Sequence, residues 1–327
     1  PLLARLVGEN IAALNGSPEH PESFTALGRL LEDQAWRLAF WRVAGDEINY
    51  RRFFDINDLA GLRMENDEVF EATHGLVLEL VASGRLQGVR LDHLDGLYDP
   101  AGYYHQLRAR LGEELTARHG GAPEQAADAV YVVAEKILAD DERLPADWPV
   151  QGTTGYEFAR LAGGLLVDGD QARALDRAYT RFVGQRVDYE ELLRQSKLLI
   201  MRTSLASELN VLADQLDRIS EADWRTRDFT RSKLREALRE IVACFPVYRT
   251  YLAGGEPSPE DVRHVEWAVA RARRQSRATD QSVFDFLQDV LLGRVAEGTG
   301  PELRGHVRHF ARRVQQFTSP VTAKGME

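Results

Sequence analysis

The sequence predicts an α/β chain, part of a (β/α)8 barrel interrupted by a large, mostly helical insertion. Three observations predict it. Two short apolar runs, residues 89–91 and 131–134, flank a helix-patterned segment and read as parallel strands joined by a crossover. Each run empties into titratable side chains: Asp92, His93 and Asp95 after the first, Glu135 and Lys136 after the second. In barrels of such units the chemistry sits at the C-terminal ends of the strands. From about residue 161 the text changes to helical periodicity rich in Leu, Ala, Arg and Glu. The boundaries that follow are 1–160 for barrel units with two site-bearing strand ends and 161–317 for the insertion. Residues 318–327 then read as the start of a later barrel strand.

Along the chain, residues 30–43 have helical spacing, followed by a polar-aromatic run at 49–57. Residues 67–83 predict a helix with one apolar stripe of Phe70, Val77, Leu80 and Val81, and Gly84 suits a left-handed cap. The strand at 89–91 leads to a helix over about 101–118. A Gly/Pro/Ala-rich loop near 120–123 precedes the strand at 131–134, and a glycine-rich turn follows at 152–156. In the insertion, residues 171–182, 189–219, 231–243, 260–274 and 281–295 are helical by periodicity. A strand-like aromatic run at 243–251 interrupts them. The leucine-rich part at 191–216 reads as insertion core.

Composition narrows the function. The 327 residues are 44% hydrophobic and 28% charged, ordinary for a globular chain. A formal net charge of -10 argues against nucleic acid and favours an uncharged substrate. One cysteine, Cys244, excludes an internal disulfide and a cysteine-based metal cluster, and fits a reducing, cytoplasmic setting. No apolar run approaches the roughly 20 residues of a membrane span. The chain starts at Pro1 without methionine and stops within strand-like text, so both edges read as cuts through a larger protein.

The chemistry gathers at the two strand ends. Residues two apart on a strand share a face, so Arg90 and Asp92 point together. Burying either charge alone is costly, which marks the pair as one in use. Neighbouring parallel strands lie about 4.8 Å apart, which would hold Asp92 and Glu135 at roughly the 5 Å carboxyl separation of a retaining glycosidase. In that reading Arg90 keeps Asp92 ionised as nucleophile. Glu135, at the end of an apolar strand, holds a proton as general acid. An ion pair that merely caps a barrel strand fits the same pattern. His93 beside Asp92 lacks a third ligand at useful spacing, so no metal is expected. Trp148 and Tyr156 flank the glycine-rich turn, as sugar-stacking aromatics or as packing under a loop. Arg51, Arg52 and Arg249 are either hydrogen-bond donors to the site or surface charges. His74, His105, His264, His306 and His309 read as helical surface positions.

Asp55-Ile56-Asn57, a helix, Gly88-x-Arg90-x-Asp92 and then Glu135 after another strand resemble the layout of the α-amylase superfamily of glycoside hydrolases. The longer runs are more specific. Residues 46–63, 92–97, 152–156, 245–251 and 319–325 resemble the maltooligosyl trehalose synthase family, the (1→4)-α-D-glucan 1-α-D-glucosylmutases of that superfamily. The resemblance implies Asp92 as nucleophile, Arg90 as its orienting partner and Glu135 as acid/base. It places His93 and Asp95 at the mouth of the site as ligands for sugar hydroxyls. The implied reaction is an intramolecular transglycosylation of a maltooligosaccharide or α-1,4-glucan, with no cofactor. Leu94 departs from the family, which usually has proline there. The family's third carboxylate would follow Glu327 directly, so the 327 residues alone are expected to be inactive. An amylase-like hydrolase or glucanotransferase, and a catalytically dead glycan-binding fragment, are the other readings.

Overall fold

The computed structural model describes residues 2–252, 255–276, 281–294 and 299–326. The chain divides into two compact units, Pro1–Ala44 and Gly45–Glu327. The first carries α1 (Leu2–Leu14) and α2 (Thr25–Glu32), and neither helix buries a residue. The helix expected over 30–43 is not formed. Its text is split between the end of α2 and a short 3-10 turn at Trp41–Gly45. Trp36 and Leu38 between them stay exposed, so the apolar spacing has no core to fold against.

In the second unit, β1 (Arg52–Phe53) and β2 (Ile56–Ala60) form an antiparallel hairpin from the polar-aromatic run. Next comes α3 (Asp67–Ala82), capped by the Asn66 side chain on the Glu68 and Val69 amides. The three-stranded sheet follows: β3 (Gly88–Leu91), then α4 (Pro100–His119) and α5 (Pro123–Asp128), then β4 (Tyr131–Ala134) and β5 (Gly152–Thr153). Its order is β3-β4-β5 and both pairings are parallel. β5 was expected as a turn. Gln151 N–H on Val132 O and Thr154 N–H on Ala134 O make it a third strand instead. Gly88 is required by close approach, since a Cβ there would lie 2.5 Å from the Tyr131 carbonyl oxygen. Phe70, Leu78 and Val81 of α3, Tyr104, Leu107 and Leu111 of α4, and Val132 and Ala134 of β4 form one core. Arg108 is buried under it, donating to the carbonyls of Ala127, Val130 and Pro149 and to Gln151 Oε1.

The rest is helical: α6 (Tyr156–Gly164), α7 (Ala172–Val183), α8 (Tyr189–Arg202), α9 (Ala206–Glu221), α10 (Arg231–Ala243), α11 (Pro259–Gln275), α12 (Ser282–Leu291) and α13 (Pro301–Met326). The helix expected at 189–219 is broken at Thr203, whose backbone leaves the helical region. The one expected at 281–295 matches α12, with Val295 outside the described residues. From α8 to α13 these helices share a second core that includes Met201, Leu209, Leu216, Leu238, Ile241, Phe284, Leu287, Phe310 and Val321. By contrast α6 and α7 bury nothing, and Phe158, Leu165, Leu166 and Phe182 are each more than 70% exposed, at 73, 87, 89 and 90%.

Two expectations are corrected. Residues 243–251 form no strand; beyond the last residue of α10 they run as a buried, unpaired segment whose carbonyls and side chains bond elsewhere. Residues 318–326 are not a strand either, but the last turns of α13, and Glu327 lies outside the described residues. Pro320 stands inside this helix, where proline removes one hydrogen bond. Phe310, Val314, Phe317 and Val321 recur at helical spacing and are all buried, and that packing outweighs the loss. The described residues are therefore mostly helical, with one small parallel sheet and one two-stranded hairpin.

Lys197 shows what the helical core tolerates. Its side chain is buried and its Nζ donates to the Phe245 carbonyl at 3.0 Å. Burial, helped by Arg271, pushes its ammonium down to about 8 from 10.5. Below pH 8 both folded and unfolded chains carry the proton, and the folded one bears the whole burial cost. Between pH 8 and 10.5 the unfolded chain binds the proton and the folded chain does not, so stability rises with pH. The full cost is about 3 kcal/mol. Lys197→Met is expected to stabilise the chain at pH 7 by about 1–2 kcal/mol, after the lost carbonyl bond is subtracted. The gain should shrink above pH 8; urea unfolding from pH 6 to 10 measures it.

Candidate active site

The register of the sheet sets the site. Leu91 pairs with Ala134, and the Glu135 N–H continues the ladder to Leu91 O at 2.8 Å. Asp92 and Glu135 thus leave adjacent strands at the same level. Arg90 bridges them, with Nη1 2.8 Å from Asp92 Oδ1 and Nη2 3.5 Å from Glu135 Oε1. The face they share is open, however: the Arg90 and Asp92 side chains are 50% and 60% exposed. A buried charged pair was expected. Three strands leave that face uncovered among the described residues, so the pair stays in contact with water.

After Asp92 the backbone turns sharply. His93 has φ of 51°, a left-handed conformation, and its N–H donates to Glu135 Oε2 at 2.8 Å. Among the described non-glycine residues, Phe54 alone shares this feature, with φ of 53°. It occupies the turn between β1 and β2, where glycine or asparagine is the usual solution. Each such residue costs about 1–2 kcal/mol. The two strained residues touch: the Phe54 and His93 rings lie 4.5 Å apart, and Phe53 meets the imidazole edge-on at 4.9 Å. Gly96 leaves room for the ring, because a Cβ there would be 2.4 Å from His93 Nε2. Burial, and then Arg51, push the imidazole below its ordinary value, so it is neutral at pH 7.

Asp95 is not at the mouth of the site. It is buried, accepts a bond from the Tyr251 hydroxyl and pairs with Lys136 Nζ at 3.2 Å, while Lys136 also pairs with Glu142 at 2.8 Å. Arg249 is buried too. Its guanidinium donates to the carbonyls of Asp95 (2.9 Å), Leu97 (2.5 Å) and Thr250 (3.0 Å), and to Gln315 Oε1 (2.9 Å). Gln316 adds a bond to the Gly96 carbonyl at 2.9 Å. The helical core thereby grips the loop that follows Asp92 on both sides. Arg52 is likewise enclosed, between Glu208 (2.6 Å), Asn57 Oδ1 (2.8 Å) and the Ser204 carbonyl (2.9 Å). Trp148 is packed in the sheet core, 4.8 Å from the rings of Tyr104 and of Tyr251. Tyr156, first residue of α6, is exposed beside the strand ends.

Sequence reasoning gave no role to Lys136, Glu142, Tyr251, Gln315 and Gln316. The signal for Lys136 was its place directly after Glu135; the others lie far apart in sequence. Of the three arginines, Arg51 and Arg52 both line a small cavity beside Phe54 and His93, and Arg51 also opens onto a larger one. Arg51 shares that larger cleft, of about 800 Å³, with Arg63, Glu65, Tyr98, His309 and Arg313. Burial, with Arg313 and Arg249 beside it, pushes its guanidinium down to about 10. No group of three or more His, Cys, Asp or Glu side chains among the described residues could hold a metal ion. No helix among them is long and apolar enough to cross a membrane.

The fold is similar to part of the fold of trehalose-forming synthases of known structure. In particular, the chain is 40% identical over 210 residues to the putative maltooligosyl trehalose synthase of Mycobacterium tuberculosis, in strains CDC 1551 and H37Rv. That match takes in 63% of this chain and 25% of the relative, so the chain spans about a quarter of the curated proteins it resembles. Among solved structures it resembles maltooligosyltrehalose synthase from Arthrobacter ramosus, with a TM-score of 0.71 and 29% identity, covering 91% of this chain and 33% of that one. A glycosyltrehalose synthase labelled DSM5389 follows at a TM-score of 0.61 and 27% identity, covering 91% and 31%. No family model matches the chain.

Proposed function

We propose that the chain is the part of a maltooligosyl trehalose synthase that carries nucleophile and acid/base, on part of a (β/α)8 barrel. Asp92 attacks the anomeric carbon of the residue next to the reducing-end glucose of a maltooligosaccharide, and Glu135 protonates the departing oxygen. The released glucose turns, and its anomeric hydroxyl resolves the glycosyl-enzyme while Glu135 takes back a proton, giving an α,α-1,1 linkage with retention. Water must be excluded while the glucose is held. The observation that carries this reading is the Arg90-bridged pair of carboxyls on adjacent parallel strands. Arg90 orients the pair. In this reading Tyr156 contacts sugar, His93 does so from the side of its ring that lines a small cavity, and Arg51 is a further donor. Asp95, Arg249, Arg52 and Trp148 enter the proposal as residues that hold the site loops. No cofactor, nucleic acid or membrane takes part, and a cytoplasmic setting suits the reaction.

Maltopentaose tests it. The 327 residues alone are expected to bind it without turnover, because the Asp92 side chain stands 60% exposed to water. Turnover by this chain alone would refute that expectation. A chimera in which this sequence replaces the matching third of the Arthrobacter ramosus protein is expected to remove reducing ends without shortening the chains. Free glucose or shorter oligomers would instead assign an amylase-like hydrolase or glucanotransferase.

A further inference from the structure

We propose that Phe54 is a positioning residue for Glu135, acting through His93: its ring locks His93 in the left-handed turn that aims the His93 N–H at Glu135 Oε2. The proposal rests on the reading of Glu135 as acid/base and goes beyond it, since Phe54 touches neither reacting carboxyl. The two strained non-glycine residues of the described chain would be an unlinked coincidence if each were only a turn. They are instead in ring contact at 4.5 Å, and the backbone amide of one of them binds the carboxyl in question at 2.8 Å. Strain of this kind persists where the surroundings over-determine it. Here the imidazole is enclosed by Phe54, Phe53 and the bare face of Gly96.

The consequence for Glu135 is directional. With Oε2 occupied by the amide, Oε1 is the oxygen left to carry the proton to the leaving group. Arg90 reaches Oε1 only at 3.5 Å, its close bond being to Asp92. Releasing His93 to an ordinary backbone conformation would swing the amide away and let the carboxyl rotate. The charged groups about this corner include Arg90 and Asp92 at the strand ends, Arg51, Asp95 and Arg249 near the imidazole, and Lys324 of α13, whose Nζ lies 5.7 Å over the Phe54 ring.

Hydrogen exchange of the residue-93 amide tests this on the chain as it is, with no turnover needed. Phe54→Ala and His93→Ala are expected to speed exchange at residue 93 by about tenfold or more. The Glu135 amide in the β3–β4 ladder should stay protected in the same spectra. His93→Gly is the deciding variant, because glycine takes positive φ without a ring to hold it. It is expected to keep the amide protected, and to do so in the Phe54→Ala background as well. Phe54→Leu, which keeps most of the bulk, serves where Phe54→Ala perturbs the ladder. The proposal is overturned if Phe54→Ala and Phe54→Leu leave residue 93 protected, or if His93→Gly exchanges as fast as His93→Ala. Failure of trehalose formation would leave these rates unchanged, so the two readings fail separately.

Discussion

Asp92→Asn is expected to lower trehalose formation by the chimera with the Arthrobacter ramosus protein by about four orders of magnitude. Asparagine keeps the shape of the side chain and can still meet Arg90, but its amide is no nucleophile toward an anomeric carbon. The loss should therefore fall on every glycosyl donor. Glu135→Gln should behave differently. It removes the proton needed by a sugar leaving group, so maltopentaose turnover falls by about two to four orders of magnitude. α-Glucosyl fluoride, whose leaving group needs no proton for departure, should be spared in the first step. Retention of more than about one hundredth of the rate by Asp92→Asn would move the nucleophile elsewhere. Equal losses of Glu135→Gln on both donors would remove its acid role.

Arg249→Met is expected to destabilise the chain by about 3–5 kcal/mol, a large share of the usual stability of a domain. Methionine fills much the same space but donates nothing. The carbonyls of Asp95, Leu97 and Thr250 and the Gln315 side chain would then be buried without their donor. The adjacent Asp95, Tyr251, Lys136 and Glu142 would lose the frame that keeps them in register. A half-exposed pair such as Arg231 with Asp214 is the control, and its loss should cost less than about 1 kcal/mol. Urea midpoints of the two variants decide the matter. A loss below about 1 kcal/mol for Arg249→Met would show that water replaces the guanidinium and that the loop is not held from the helical side.

The parallel strands at residues 88–91 and 131–134 and the helices around them were legible because their signals are local. Short apolar runs, a side-chain cap at Asn66 and clean helical stripes each fit within a dozen residues. The pairing of Asp92 with Glu135 followed from one crossover. Residues 243–251 and 318–326 were misjudged for a different reason. Aromatic and β-branched residues there suggested strands, whereas their conformation is decided by what they pack against. Val321 joins the same core as Met201, a neighbour that no window of sequence brings near it. Asp95 and Arg249 read as site residues because charge in a motif suggests use. Their use is to bind each other's loops, and a contact 154 residues apart leaves no trace in spacing. The left-handed turn at His93 was invisible because neither histidine nor the following leucine announces positive φ.

The bare sides of α6 and α7 are expected to bring copies of this chain together in solution. Phe158, Leu161, Leu165, Leu166, Val167 and Phe182, on these helices and the link between them, offer water an adhesive apolar surface, and the net charge of -10 opposes association at long range. Dilute buffer keeps that repulsion long, about 30 Å at 0.01 M salt, against about 3 Å at 1 M. Light scattering should therefore show copies that stay apart at low ionic strength and cluster as salt is added, the reverse of what a charge-held assembly does. Aspartate in place of Leu165 and Leu166 should restore dispersion at high salt while leaving both cores untouched.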